Sequence, residues 1–383
     1  MSMSGTSLKL HSRITDFDAA LWDGMTDGHP FLRHAFLASL EETGCVRAET
    51  GWLPRHLGLY DESGATLLGA MPCYIKGHSY GEYVFDHAWA DAWQRAGGHY
   101  YPKYQVSIPF TPVTAPKLLV AAGQPVENIQ AHLLDGLAAL TDQQGFSSAH
   151  LTFLPQEQAQ KAEAQGYLLR TDQQFHWTNN GYDSFEDFLK DLSSRKRKQI
   201  RKERREALAG GIRIQMVEGK DITESHWDVF YRFYMDTGSR KWGTPYLDRA
   251  FFSAIGQKMP EQIVLFFCHK AGNIIAGALN FLGPERLYGR YWGCLEDHPF
   301  LHFETCYYQA IDYAIAHGLQ FVEAGAQGPH KLARGYTPVK TWSAHWISDP
   351  GFRQAVARYL ETERMDVEET VAYLGEHSPF KKA

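Results

Sequence analysis

The segment Gly325-Ala-Gln-Gly-Pro-His-Lys331 combines residue types that can carry acyl transfer. Lys331 is a cation able to stabilise a carbonyl oxygen that turns negative when an amine attacks it. Gln327 and His330 can orient the acyl group or move protons. Glu323, just ahead of the segment, can take a proton from the attacking amine, and Glu304 is a second choice for that task. Two glycines free the backbone to approach a ligand or to take positive φ. The plain alternative is a tight turn whose Lys and His are simply solvated.

Three further groups have chemical spacing. Glu82 and Asp86 stand four apart in Gly81-Glu-Tyr-Val-Phe-Asp-His87. On a strand an even spacing puts both on one face, so with His78 and His87 they can bind a cationic amine. A strand with its polar residues in water is the alternative. The run Arg195-Lys-Arg-Lys198, followed by Arg201, Lys202, Arg204 and Arg205, can grip phosphates. Arg197, Arg201 and Arg204 are its contact candidates, unless Glu203 and Glu206 merely pair with a solvated helix. His298 and His302 are also four apart, the spacing of two metal ligands on a helix face. No third ligand accompanies them, so no metal is expected. His302 and Glu304 instead open a helix, where they can line a groove with Arg290, Tyr307 and Tyr308.

Elements of regular structure must position these residues. In the second half, Ser184 to Ala209 has the pattern of one long helix, with Ser184 as N-cap and Asp187 reaching back. Gln262 to His269 and Ile274 to Phe281 form a hairpin about Lys270-Ala-Gly-Asn273. Arg286 to Cys294 is a third strand. Phe300 to His317 is a helix stopped by Gly318, and Leu319 to Glu323 is the next strand. A similar order precedes it: a hairpin at His56 to Ile75, strands at Gly81 to Phe85 and Tyr104 to Pro109, a helix at Val126 to Gln144, and a strand at Ala149 to Leu154. Phe110-Thr-Pro-Val-Thr114 and Tyr336-Thr-Pro-Val-Lys340 share a word, consistent with a diverged duplication. A strand, a helix and a parallel strand make a right-handed crossover in a mixed α+β sheet. The domains expected are residues 12–172 and 173–347, with a C-terminal helix at 350–375 packing back on the first.

Bulk properties narrow the class. At 383 residues the chain is long enough for two cores without disulfides. A net charge of −6 argues against a globally basic nucleic-acid binder. The five cysteines form no Cys-x-x-Cys pair and read as reduced thiols. With no apolar run for a signal peptide or a membrane span, the expectation is a cytoplasmic protein. No motif specifies an oligomeric state.

The second half resembles the Fem-type aminoacyltransferases. Phe188 to Lys202, Gly210 to Ile214, Leu301 to Gly318, and Val322 to Gly328 with Lys331 carry the likeness. Further words, Gly77 to Asp86, Tyr101-Pro-Lys103, Pro109 to Thr114 and Gly325 to Lys331, resemble the FemAB-like branch, called peptidoglycan biosynthesis/recognition proteins. The resemblance implies two tandem acyltransferase domains of GNAT type and N-acyl or aminoacyl transfer to a primary amine, on a cell-wall precursor or peptide. It requires no resident cofactor. It leaves the donor open between aminoacyl-tRNA and acyl-CoA, and tRNA is a partner it suggests. The chain has no room for the long helical arm that some Fem enzymes insert in the second domain.

Acetyl-CoA-dependent relatives place a glycine-rich turn at the crossover-helix start, where N–H groups bind pyrophosphate. Here the same place reads Gly293-Cys-Leu-Glu-Asp-His-Pro-Phe300. Glu296 and Asp297 repel a pyrophosphate, and Pro299 lacks the N–H. CoA is disfavoured on that ground. A CoA-dependent acetyltransferase, and a precursor-binding protein that has lost the chemistry, are the two rival readings.

Overall fold

The computed structural model describes residues 2–3, 5–241, 245–325 and 328–381, and the chain divides into two compact units. Unit 1 comprises Met1–Gln173 and Lys340–Glu369; unit 2 comprises Gln174–Val339 and Thr370–Ala383.

Unit 1 opens with strands β1 (Ser2–Met3) and β2 (Thr6–His11), then helices α1 (Ala19–Asp23) and α2 (His34–Glu42). Strands β3 (Trp52–Pro54), β4 (His56–Asp61), β5 (Leu67–Met71) and β6 (Cys73–Lys76) follow. Helix α3 (His87–Arg95), strands β7 (Lys103–Val106) and β8 (Leu119–Val120), helix α4 (Val126–Gln143) and strand β9 (Ser148–Leu154) come next. Helix α5 (Gln156–Ala164) and strand β10 (Leu168–Thr178) end the first pass. One antiparallel sheet runs β1-β2-β4-β5-β8, and β3, β6, β7 and β9 are neighbours in another. The α4 crossover makes β7 and β9 parallel, with Tyr104 opposite Ala149. Its Leu133, Leu134 and Leu137 are fully buried against Leu57, Leu59 and Met71. Each such leucine contributes roughly 1.5–3 kcal/mol.

Unit 2 takes the end of β10, then helices α6 (Phe185–Asp191) and α7 (Ser194–Ala207) and strand β11 (Arg213–Glu218). Helices α8 (Glu224–Lys241) and α9 (Arg249–Lys258) lead to strands β12 (Ile263–Lys270), β13 (Asn273–Leu282) and β14 (Arg286–Cys294). The crossover is α10 (Leu301–Phe303), a π-helical turn at Glu304–Tyr308, and α11 (Gln309–Ala316). Strand β15 (Phe321–Glu323) lies parallel to β14 and antiparallel to β10. Ile311, Ala314 and Tyr308 of the crossover pack on Val264, Leu287 and Val322. The chain then re-enters unit 1 with β16 (Thr337–Ile347), antiparallel to β9, and α12 (Pro350–Glu376). Phe352, Val356 and Leu360 of α12 cluster with Trp89 and Tyr100.

The β12–β13 hairpin turns through Ala271 and Gly272, both at positive φ, as a two-residue hairpin demands. Four expectations need correction. The helix over 184–209 is two: Leu192 is extended (ψ 152°) and pairs with Phe380, so α6 stops and α7 starts afresh. Ser184 caps α6 by accepting from Asp187 N, but the Asp187 carboxylate turns to Lys190. Residues 81–85 form a loop, not a strand, with Tyr83 at positive φ. The shared Thr-Pro-Val word does not mark equivalent structure, since 111–113 is irregular whereas Thr337–Val339 starts β16.

Candidate active site

The parallel pairing of β14 with β15 ends at Tyr288 opposite Glu323. Beyond it β14 stays paired only with β13, and a bulge at Arg290 shifts the register: Asn280 faces Gly289, whereas Leu279 faces Tyr291. A bulge twists and bends its strand, and here the two strands part. The gap is a small solvent-open cleft whose lining includes Arg290, Trp292, His302, Cys306, Tyr307 and Gly325. It lies beyond the C-terminal ends of parallel strands, where open α/β sheets bind ligands.

Lys331 lies behind the cleft wall at Gly325. Its side chain is 1% exposed, and Nζ donates to the carbonyl oxygen of Gly325, a cleft-lining residue, at 2.7 Å. Burial lowers its pKa to about 8, while the nearby Cys306 thiol pulls the other way. The turn that delivers it requires glycine, because Gly325 and Gly328 have φ of 77° and 123°. The facing wall is the π-helical turn. Such insertions redirect side chains and are common at functional sites. Here Cys306 and Tyr307 face the cleft, while Tyr308 is fully buried and donates its hydroxyl to Glu203. Tyr307 Oη lies 2.9 Å from His330 Nε2. Burial, helped by Arg334 and Lys331, holds the exposed-edge His330 below the usual imidazole range. His302 packs against Trp292 and Tyr307 at ring distances of 5.5 and 5.3 Å.

The two glutamates put forward as proton acceptors are elsewhere. Glu304 is fully buried, gripped by Arg204 Nε and Nη2 at 3.1 and 3.0 Å and by Gln309 Nε2 at 2.7 Å. Burial raises its pKa and Arg204 opposes the rise. Glu323 accepts from Arg286 Nη1 at 2.9 Å and lies 3.8 Å from His176 Nε2. Among the described residues lining the cleft there is no Asp or Glu. Gln327 lies outside the described residues.

The basic helix α7 divides its tasks. Arg204 faces inward, to Glu304 and to Asp312 at 2.6 Å. Arg201 pairs with Glu186 on the surface, and Arg197 is half-buried. At the crossover start Glu296 is exposed and pairs with Lys270 and His298, at 3.2 and 2.9 Å.

In unit 1, Glu82 and Asp86 are buried, not presented to solvent. Lys103 Nζ lies between them, 2.8 Å from Glu82 Oε2, hydrogen-bonded to Asp86 Oδ2, and 2.9 Å from Ser79 Oγ. Burial raises the Glu82 pKa to about 7; Asp86 is held below the usual carboxylate range by Lys103 and His150, against its own burial. Lys76 sits 4.0 Å from Glu82, its pKa lowered by burial to about 7. Asp86 also accepts from Tyr100, which reaches His150 and, through it, His345. His87 alone of the predicted set is exposed, stacked on Phe85. Past the last β7–β9 pair, Val106 with Leu151, Ala115 N and Lys117 Nζ both donate to Phe153 O. The site residues that sequence reasoning missed are Cys306, Glu203, Arg334 and Lys103. Lys103 and Cys306 stood inside stretches already singled out, Glu203 had been named only as a pairing partner on the basic helix, and Arg334 had not been named.

The model of the FemAB-like family, described as peptidoglycan biosynthesis/recognition, matches residues 13–382. Among solved structures, FemX aligns with 12% identity, a TM-score of 0.55, and coverage of 92% of this chain and 100% of its own. L-PGS from Bacillus licheniformis aligns with 10% identity, a TM-score of 0.50, and coverage of 84% and 95%. A tandem GNAT protein from the clavulanic acid biosynthesis pathway aligns with 11% identity, a TM-score of 0.45, and coverage of 90% and 99%. No curated protein matches the sequence significantly. The chain has the mixed α/β fold of FemX. No helix among the described residues is long and apolar enough to cross a membrane.

Proposed function

We propose, for a chain that belongs to the FemAB-like peptidoglycan biosynthesis/recognition family, that unit 2 transfers an acyl or aminoacyl group to a primary amine on a cell-wall precursor or peptide. One observation carries this reading: a buried lysine amine donates to the carbonyl of Gly325, a residue that lines the gap where the paired strands β14 and β15 part. The activated carbonyl lies in the gap with its oxygen toward Lys331. The amine nitrogen attacks the carbonyl carbon, and the ammonium of Lys331 stabilises the oxyanion. The C–O or C–S bond to the carrier then breaks. Lys331 gives its proton to the leaving atom and regains one from the nitrogen of the new amide. A pKa near 8 suits that exchange better than an ordinary lysine does, because an acid–base group works best near the working pH.

Glu304 and Glu323 serve as counter-ions to Arg204 and Arg286. The donor is an aminoacyl carrier in preference to CoA, given the acidic crossover start at Glu296 and Asp297.

The test is transfer by purified protein, with aminoacyl-tRNA and acetyl-CoA as alternative donors and a muropeptide amine as acceptor. Lys331→Met should slow transfer on the order of a hundredfold to a thousandfold, as for loss of an oxyanion partner. A full rate in this variant sinks the assignment. Muropeptide binding with no transfer from either donor would favour a binding protein.

A further inference from the structure

We infer that Glu203 is a positioning residue for the acyl-transfer cleft: through Arg334 it holds the turn that carries Lys331, and through Tyr308 it holds the opposite wall. The inference rests on the role given to Lys331 above.

The turn itself is weak. Pro329–Arg334 is a six-residue 3₁₀ helix, and such short pieces have poor internal hydrogen bonds. Its placement must come from outside. Arg334, three residues after Lys331, sends Nη2 to both Glu203 oxygens at 3.0 Å and Nη1 to His330 O at 2.7 Å. Its guanidinium lies 3.5 Å over the Phe303 ring. Glu203 also accepts from Tyr308, next to the cleft-lining Tyr307, and from Gln199 at 2.9 Å. Both partners of the ion pair are about 95% buried.

A buried ion pair is poor evidence for stability, since an apolar pair of similar volume is often as good. What it supplies is geometry. The guanidinium–carboxylate pair fixes two elements in one register, and through Glu203 the turn that carries Lys331 is tied to the π-helical turn, whose Cys306 and Tyr307 line the cleft. Arg204, the next residue, braces the same π-helical turn at Glu304. The inner face of α7 is therefore a clamp on the site, whatever its basic outer face contacts.

The readout is the titration of the Lys331 amine itself. Protein labelled with ¹³C at lysine Cε gives one resonance that disappears in Lys331→Arg, and its pH dependence is followed by NMR. Burial lowers this pKa to about 8, so the wild-type resonance should titrate there. In Glu203→Gln the released turn hydrates the amine, and the midpoint rises by about one pH unit or more toward the ordinary lysine value. Transfer then falls about tenfold in kcat with KM unchanged, the cost of a misplaced group. Tyr308→Phe is the milder variant should Glu203→Gln not fold; it shifts the midpoint the same way by less. Lys190→Gln, on the exposed side of α6, changes neither. A folded Glu203→Gln or Tyr308→Phe protein whose Lys331 titrates as in the wild type overturns the inference. Absence of any transfer in the wild type would remove the function proposed above, yet the titration still decides the positioning.

Discussion

Arg204 holds Glu304 by two hydrogen bonds of 3.1 and 3.0 Å, joining α7 to the π-helical turn. The carboxylate is fully buried, and the guanidinium side chain is 23% exposed. Arg204→Met leaves a buried carboxylate with Gln309 as its remaining hydrogen-bond partner and should destabilise the protein by about 3 kcal/mol. The double variant Arg204→Met/Glu304→Gln should recover most of that loss, because a neutral amide needs no counter-ion. Urea unfolding of the two proteins measures the difference. Equal losses would show that packing, not charge, holds this contact.

Much of the framework was legible in the sequence, and the reason is local. The β12–β13 hairpin is announced by its Ala271-Gly272 turn, and the crossover helix ends where Gly318 takes positive φ. What was misread depends on distant partners. Glu82 and Asp86 alternate as strand residues do, yet Lys103, 21 residues from Glu82, draws both inward and bends 81–86 into a loop. Glu304 was read as a groove residue, but its partner Arg204 is 100 residues away. Glu203 and Arg334 are 131 apart, and neither carries a local signal. Lys331 was put forward because glycines and a preceding strand end flank it.

The pH dependence of transfer follows from Lys331. Its pKa is lowered to about 8, so the ammonium to which the proposed function gives the oxyanion is present below pH 8 and lost above it. The kcat/KM profile should therefore carry a descending limb near pH 8. Lys331→Arg keeps a cation that does not deprotonate in this range, so that limb should vanish from its reduced activity. A limb surviving in Lys331→Arg belongs to another group.

Gly328 has φ 123° and ψ 96°, a conformation L-residues avoid. A Cβ there would lie 2.4 Å from His330 Cε1, whereas a Cβ at Gly325 meets nothing within 4 Å. Gly328→Ala combines backbone strain with a displaced His330 and should cost about 1–3 kcal/mol. It should also break the 2.9 Å contact with Tyr307 and reduce transfer. Gly325→Ala carries the positive-φ strain alone, about 1–2 kcal/mol. Thermal unfolding and transfer rates should rank Gly328→Ala below Gly325→Ala; the reverse order would exclude a steric role for His330.

Lys103 gives the sharpest pH signature in unit 1. Its ammonium lies between the buried carboxylates of Glu82 and Asp86. Lys103→Met removes the cation and should cost about 3–5 kcal/mol at pH 7. In the wild type, Asp86 has a lowered pKa, so its stabilising contribution is complete above the ordinary aspartate range and lost only on acidification below it. Without Lys103, burial dominates at both carboxylates and raises their folded pKa values. The variant is then favoured by protonation, and its deficit against wild type should shrink as pH falls from 7 to 5. Urea unfolding at the two pH values measures this. A deficit that stays constant would mean that Lys103 acts through packing of its alkyl chain and not through its charge.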